Sequence, residues 1–107
     1  MSWSDTIIRA HTAVTDAVSH GQRLKSERYF VWQEDGANAL AASNGHAEGS
    51  VTGTTDLFTK QELDPWVEAL GQSFDQAGIA WYLNSVQFEE NTRLWHWEWV
   101  WEVLQGG

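Results

Sequence analysis

The chain has no cysteine, a single proline, one methionine, and only six lysines and arginines against fifteen aspartates and glutamates in 107 residues. Without cysteine there is no disulfide framework and no thiolate chemistry, a composition that suits folding in a reducing cytoplasm. No run approaches the roughly 20 consecutive apolar residues of a membrane span. The start, Met1-Ser2-Trp3-Ser4-Asp5, lacks the basic segment and apolar run of a secretory signal. No membrane partner is expected. The scarcity of positive charge leaves a formal net charge of −9, and it is segregated. Residues 1–33 hold four Lys/Arg and three Asp/Glu, giving +1, whereas residues 34–107 hold two and twelve, giving −10. Such a surface repels phosphate, so ordinary DNA or RNA binding is disfavoured.

Signatures of catalysis are missing too. The four histidines, His11, His20, His46 and His96, do not sit at zinc-ligand spacing, and no cysteine assists them. No phosphate-cradling glycine loop and no nucleophile elbow is present. Glu98 and Glu102 share one face of an extended strand, and paired carboxylates can serve glycoside hydrolysis. Here no acid-base constellation accompanies them, and a solvated charged face accounts for the pair. His11 reads as a solvated helix residue and His46 as part of a polar loop. His96 points away from the tryptophans, beside Glu98, in a cross-strand packing role. The chain reads as non-catalytic, with no cofactor and no metal.

What the chain has in excess is tryptophan, eight in all. Trp95, Trp97, Trp99 and Trp101 alternate with His96, Glu98, Val100 and Glu102. Alternate residues of a strand point to opposite faces, so the four indoles line one side of a sheet. A helix would scatter them around its circumference. At 42% hydrophobic residues the chain can build one core, and residues 1–107 are read as one domain.

The remaining elements follow from local signals. Ser4-Asp5 offers an N-cap for a helix over about residues 5–19, with Gly21 as its stop. Tyr29-Phe30-Val31-Trp32 favours a strand, and the turn formers Glu34 to Asn38 follow it. A weak strand runs through Ala39-Leu40-Ala41, and Ser43 to Gly49 is loop. Val51 to Phe58 is a strand with Gly53 as a bulge candidate. Thr59-Lys60-Gln61-Glu62 fits a capping box, and Asp64-Pro65 marks the regular start of a second helix. Leu63, Trp66, Val67, Leu70 and Phe74 give that helix one apolar face, and Gly78 ends it. Ile79 to Phe88 and Arg93 to Leu104 form a hairpin around Glu89-Glu90-Asn91-Thr92.

The expected fold is α+β: two helices on one face of a largely antiparallel four- to five-stranded sheet, in the order α-β-β-β-α-β-β. Two helices cover one sheet face only. The aromatic face is therefore expected to lack an internal cover, and an apolar patch of hundreds of Å² implies a partner. A sugar-stacking platform is the competing use of four indoles. Same-face strand residues lie only about 6.6–6.8 Å apart, however, so adjacent indoles would pack on one another. Core or interface is the better reading.

The stretches Thr55-Asp56-Leu57-Phe58-Thr59-Lys60, Trp81-Tyr82-Leu83-Asn84-Ser85-Val86-Gln87-Phe88-Glu89-Glu90 and His96-Trp97-Glu98-Trp99-Val100-Trp101-Glu102-Val103 together resemble one family. It comprises the tail terminators (tail-completion proteins) of long-tailed, non-contractile bacteriophages. Arg28 to Glu34 is similar as well. The resemblance spans residues 55–103, about half of the chain. Thr55, where the family tends to have valine, and the extra indoles depart from its pattern. The resemblance implies a virion structural protein of the tail and neck, assembled in the bacterial host cytoplasm. It would form a homo-oligomeric ring, usually of six copies, that caps the tail tube and joins it to the head. Its partners would be the tail-tube protein and a neck or head-completion protein, with DNA passing through an acidic lumen without specific binding. The residues expected to carry core or interface are Trp81, Trp95, Trp97, Trp99, Trp101, Phe58 and Tyr82. Another neck component, such as a head-completion or stopper protein, and a monomeric aromatic-platform binding module are the alternatives.

Overall fold

A computed structural model describes residues 2–37 and 49–105, which form two helices and one five-stranded sheet. In chain order these are α1 (Trp3–Thr12), β1 (Val18–His20), β2 (Arg28–Ala37), β3 (Ser50–Thr59), α2 (Trp66–Gln76), β4 (Ala80–Glu89) and β5 (Leu94–Leu104). The spatial order is β1-β2-β3-β5-β4. The β1–β2 pair is parallel and every other pair is antiparallel. The expected α+β class, element order and hairpin are all present. The expected strand at 39–41, the loop from Ser43 to Glu48 and His46 lie outside the described residues.

Helix α1 begins two residues earlier than its sequence signals suggest and stops seven residues sooner. Ser2 is the N-cap: its hydroxyl accepts from the Asp5 N–H, and the Asp5 carboxylate accepts from the Ser2 N–H. This reciprocal pair satisfies two donors that a helix start leaves free. The helix ends at Thr12 because the following segment finds a better partner. Thr15 turns the chain by accepting from the Ala17 N–H, and Val18 to His20 then pair with Phe30 to Trp32. Sheet pairing overrides the weak helical tendency of residues 13–19, which contain three β-branched residues, Val14, Thr15 and Val18. Gly21 is therefore not a helix stop; it turns the chain after β1 at φ +75°.

Strand β2 runs straight through the residues that read as a turn. Gly36 adopts φ +152°, and the register shifts between Glu34 and Gly36, so Asp35 is accommodated as an extra residue in a β-bulge. Gly53, expected to be a bulge, is instead in regular register opposite it. Its requirement is one of space. A Cβ there would lie 2.5 Å from Cζ2 of Trp101 and 2.5 Å from the Gln33 carbonyl oxygen. Gly71 on α2 plays the same part for Trp81, whose ring atoms lie 2.9 Å from where its Cβ would be. Each glycine makes room for an indole.

Helix α2 is fixed at its start by the buried Asp64. Its carboxylate accepts from the Trp66 N–H, from the Thr59 hydroxyl and from Nε and Nη2 of Arg28 at 2.6–2.9 Å. Burial pushes the Asp64 pKa up, but Arg28, the Trp66 N–H and the Thr59 hydroxyl together outweigh it and hold the carboxyl below its usual range. The Arg28 guanidinium lies 3.7 Å over the Trp66 ring. Thr59 thus caps no helix of its own; its hydroxyl accepts from Gln61 N–H in the connecting turn and donates to Asp64. Leu63, placed by its spacing on the buried face, precedes the helix and is 82% exposed. The far end is a Schellman motif, with Gly78 at φ +73° and the Ile79 and Gly78 N–H groups bonded to Phe74 and Asp75 carbonyls.

The core lies between the two helices and one sheet face. Ile7, Ala10, Leu70 and Phe74 from the helices meet Phe30, Trp32, Leu57, Trp99 and Trp101 from the strands. A polar chain crosses it. Trp101 Nε1–H donates to Thr55 Oγ1 at 2.9 Å, Thr55 lies 2.9 Å from His11 Nε2, and His11 Nδ1 lies 2.7 Å from the Ile7 carbonyl. A carbonyl only accepts, so Nδ1 carries the proton, and Nε2 accepts from the Thr55 hydroxyl. The side-chain polar atoms of Trp101, Thr55 and His11 are thus all paired. His11 is fully buried, where the sequence suggested a solvated residue.

Replacing Gly53 by alanine should destabilise the protein by about 1–3 kcal/mol, because Trp101 cannot yield without breaking its bond to Thr55. Chemical denaturation with tryptophan fluorescence would measure the change. An alanine variant as stable as the parent would contradict the packing described.

Candidate functional site

The β4–β5 hairpin concentrates the residues singled out by sequence. Its pairing sets Trp81 opposite Trp101, Leu83 opposite Trp99, Val86 opposite Trp97 and Phe88 opposite Trp95. All eight share one face. The strand sequence alone does not give this, because Trp81 and Leu83 are odd positions whereas Val86 and Phe88 are even. A register shift between Leu83 and Ser85 inserts Asn84 as a bulge and inverts the alternation. The Asn84 side-chain amide donates to Glu98 Oε1 at 2.7 Å, tying the bulge to the neighbouring strand.

The helices lie on this same aromatic side, which corrects the expectation that the tryptophan face lacks an internal cover. Trp99 and Trp101 are 1% exposed and belong to the core. Trp81 is half-buried beneath α2 and donates its indole N–H to Asp75 at 2.8 Å. Cover fails toward the hairpin turn. Trp95 and Trp97 are half-buried, and beside them Leu83, Val86 and Phe88 are 40%, 42% and 36% exposed. The indole N–H of Trp97 is buried without a hydrogen-bond partner among the described residues. On the reverse face of β4, Tyr82 is 57% exposed. Nine consecutive residues, 80 to 88, carry no charge although a fifth of the chain is charged. Among the described residues β4 is also an outermost strand, so one row of its backbone N–H and C=O groups has no strand partner there.

The opposite sheet face carries an ionic cluster rather than an apolar surface. Phe58 is buried there with Tyr29, Val31 and Leu94, and the Arg23 guanidinium covers its ring at 3.8 Å. Arg23 Nη2 donates to Glu89 Oε1 at 2.8 Å. His96 stacks at 4.4 Å against Phe58 and sits between two carboxylates, with Nε2 2.6 Å from Asp56 Oδ1 and Nδ1 3.2 Å from Glu89 Oε2. The second contact is an ion pair too bent to be a hydrogen bond. His96 therefore faces away from the tryptophans and packs across strands, as its position in the alternation implies. Glu98 and Glu102 lie on this face too, half-buried and exposed. Glu98 accepts from Asn84 and Glu102 accepts from the Ser50 hydroxyl. Among the described residues, no group of three or more His, Asp or Glu side chains is arranged to hold a metal ion.

The arrangement offers association through an edge and an apolar patch. No model of a known protein family matches the chain, and no characterised protein matches it. No helix among the described residues is long and apolar enough to cross a membrane. Sequence reasoning missed the Arg23–Glu89–His96–Asp56 cluster and the Asn84 bulge. The change of phase between Leu83 and Val86 was the one available signal for the bulge.

Two of the three described histidines, His11 and His96, give opposite pH responses. Burial lowers the His11 pKa from 6.5 to about 4, against a smaller raising effect of the Ile7 carbonyl. The unfolded chain thus binds more protons between these values, and stability falls as pH drops from about 6.5 toward 4, by roughly 3 kcal/mol in total. The Asp56 hydrogen bond raises the His96 pKa despite burial. Its contribution is complete below about 6.5 and is lost as pH rises through the elevated folded value. Unfolding free energies from pH 4 to 8 should show that His11→Gln flattens the acid limb and His96→Gln the neutral-to-alkaline limb. A profile unchanged by either substitution would remove these assignments.

Proposed function

We propose that this protein is a non-enzymatic structural subunit of a phage tail, a tail terminator. Copies associate head-to-tail into a ring, of six if it follows the family it resembles, that caps the tail tube, joins it to the head and conducts DNA through its lumen. The observation that carries this reading is the uncharged outer strand β4 with its patch of Leu83, Val86, Phe88, Trp95 and Trp97. Monomeric proteins blunt such edges with lysine, proline, inward charges or bulges, and between residues 80 and 88 β4 has the Asn84 bulge but no lysine, proline or charge. A ring subunit must bury surface on both flanks in a heterologous contact, and an uncharged edge with an apolar flank is suited to one of them. The resemblance over residues 55–103 supplies the tail-terminator assignment. The net charge of −9 supports a lumen that DNA phosphates traverse without sticking.

A four-indole ligand platform is less well supported, because Trp99 and Trp101 are enclosed by the helices. Ring formation on the tail tube makes the virion or a purified tail the object to test. Several copies should be found at the head-proximal end of the tube by electron microscopy. Absence from that end, or a single copy there, would overturn the assignment, and a position between ring and capsid would make the protein a stopper or head-completion component. The double substitution Val86→Lys with Phe88→Lys should leave a folded subunit by circular dichroism and prevent its incorporation. Trp99→Ala should instead cost about 3–5 kcal/mol and unfold the subunit.

A further inference from the structure

An open cleft of about 600 Å³ lies at the other edge of the sheet, between α1 and β1, within the size range of small-molecule sites. Its walls include the indoles of Trp3 and Trp32, the carboxylates of Asp16 and Glu34, and the side chains of Ser19 and His20. We propose that this cleft is a binding site for a flat organic cation of the guanidinium class. The proposal does not depend on the ring assembly.

Three observations converge on that chemistry. The lining holds two carboxylates and no lysine or arginine, which excludes phosphates and other anions. Two indoles meet at its wall nearly at right angles, 88°, with centroids 6.3 Å apart, and Trp3 is only half-buried. The cleft also already holds one planar ring that bears an N–H. His20 lies flat on Trp32, 3.9 Å between centroids and 11° between planes, while its Nε2 contacts Glu34 Oε1 at 2.7 Å. A planar N–H-bearing ring stacked on an indole and bonded to a carboxylate is the arrangement a guanidinium would repeat. Asp16, by contrast, has no side-chain hydrogen bond or ion pair among the described residues. A neutral ligand would cover that carboxylate without pairing it, whereas a guanidinium fork would pair it while presenting its flat face to Trp3.

The test uses the whole protein, L-argininamide as probe and its neutral isostere L-citrullinamide as control. Nitrogen-15 NMR titration should shift the indole N–H resonances of Trp3 and Trp32, and leave those of Trp95 and Trp97 in place. Citrullinamide should bind at least about tenfold more weakly, the factor expected for losing one charge-assisted hydrogen bond. Asp16→Asn should weaken argininamide by a similar factor, and Glu34→Gln by less, because Glu34 already contacts His20. Asp16 is exposed, so its variant keeps the test valid should Glu34→Gln disturb β2. No shift of Trp3 or Trp32 at millimolar argininamide, an equal response to citrullinamide, or undiminished affinity in a folded Asp16→Asn variant would overturn the proposal.

Discussion

Burying Trp101 constrains most of this protein. Its ring is too large to share a strand crossing with any side chain, so the residue across from it on β3 is Gly53. Its N–H cannot be buried unpaired without a cost of about 1–3 kcal/mol, so Thr55 stands within reach. Thr55 then needs an acceptor for its own proton, which His11 supplies, and His11 discharges its remaining N–H to Ile7. Three elements distant in sequence are held in one register by this sequence of obligations. A slip of one residue in β3 or β5 would leave several of these atoms buried and unpaired.

The same reasoning explains why α1 is short yet persistent. Ten residues form a marginal helix in isolation, and α1 endures through Ile7, Ala10 and His11, which are buried against the sheet. Helix α2 is anchored differently, by the carboxylate of Asp64 at its first turn and by Gly71 seated against Trp81. Neither helix reaches the turn end of the hairpin. The patch around Val86 and Phe88 is left where helical cover runs out, and the Asn84 bulge is what gathers it on one face.

The two sheet edges are unlike in composition. β4 is ten residues long and uncharged over nine of them, whereas β1 is three residues long and bordered by Asp16, His20 and Glu34. A long apolar edge favours pairing with backbone and apolar side chains. The short edge, with a cleft of aromatic and acidic groups beside it, favours discrete cationic groups.

The sequence by itself determined what depends on local pattern. Alternation placed four indoles on one strand face, Gly78 ended α2, Asp64-Pro65 began it, and the hairpin around Glu89 to Thr92 followed from two strand-like runs and a turn. These features rest on interactions within a few residues. Tertiary structure alone decided which face the helices would cover, that residues 18–20 would join the sheet rather than α1, and that His11 would be buried and neutral. It also decided that Glu34 to Ala37 would extend β2 through a bulge and that Leu63 would be exposed. Each of these outcomes depends on partners a dozen or more residues away, and pairing and desolvation there outweigh the few tenths of a kcal/mol by which local propensities differ.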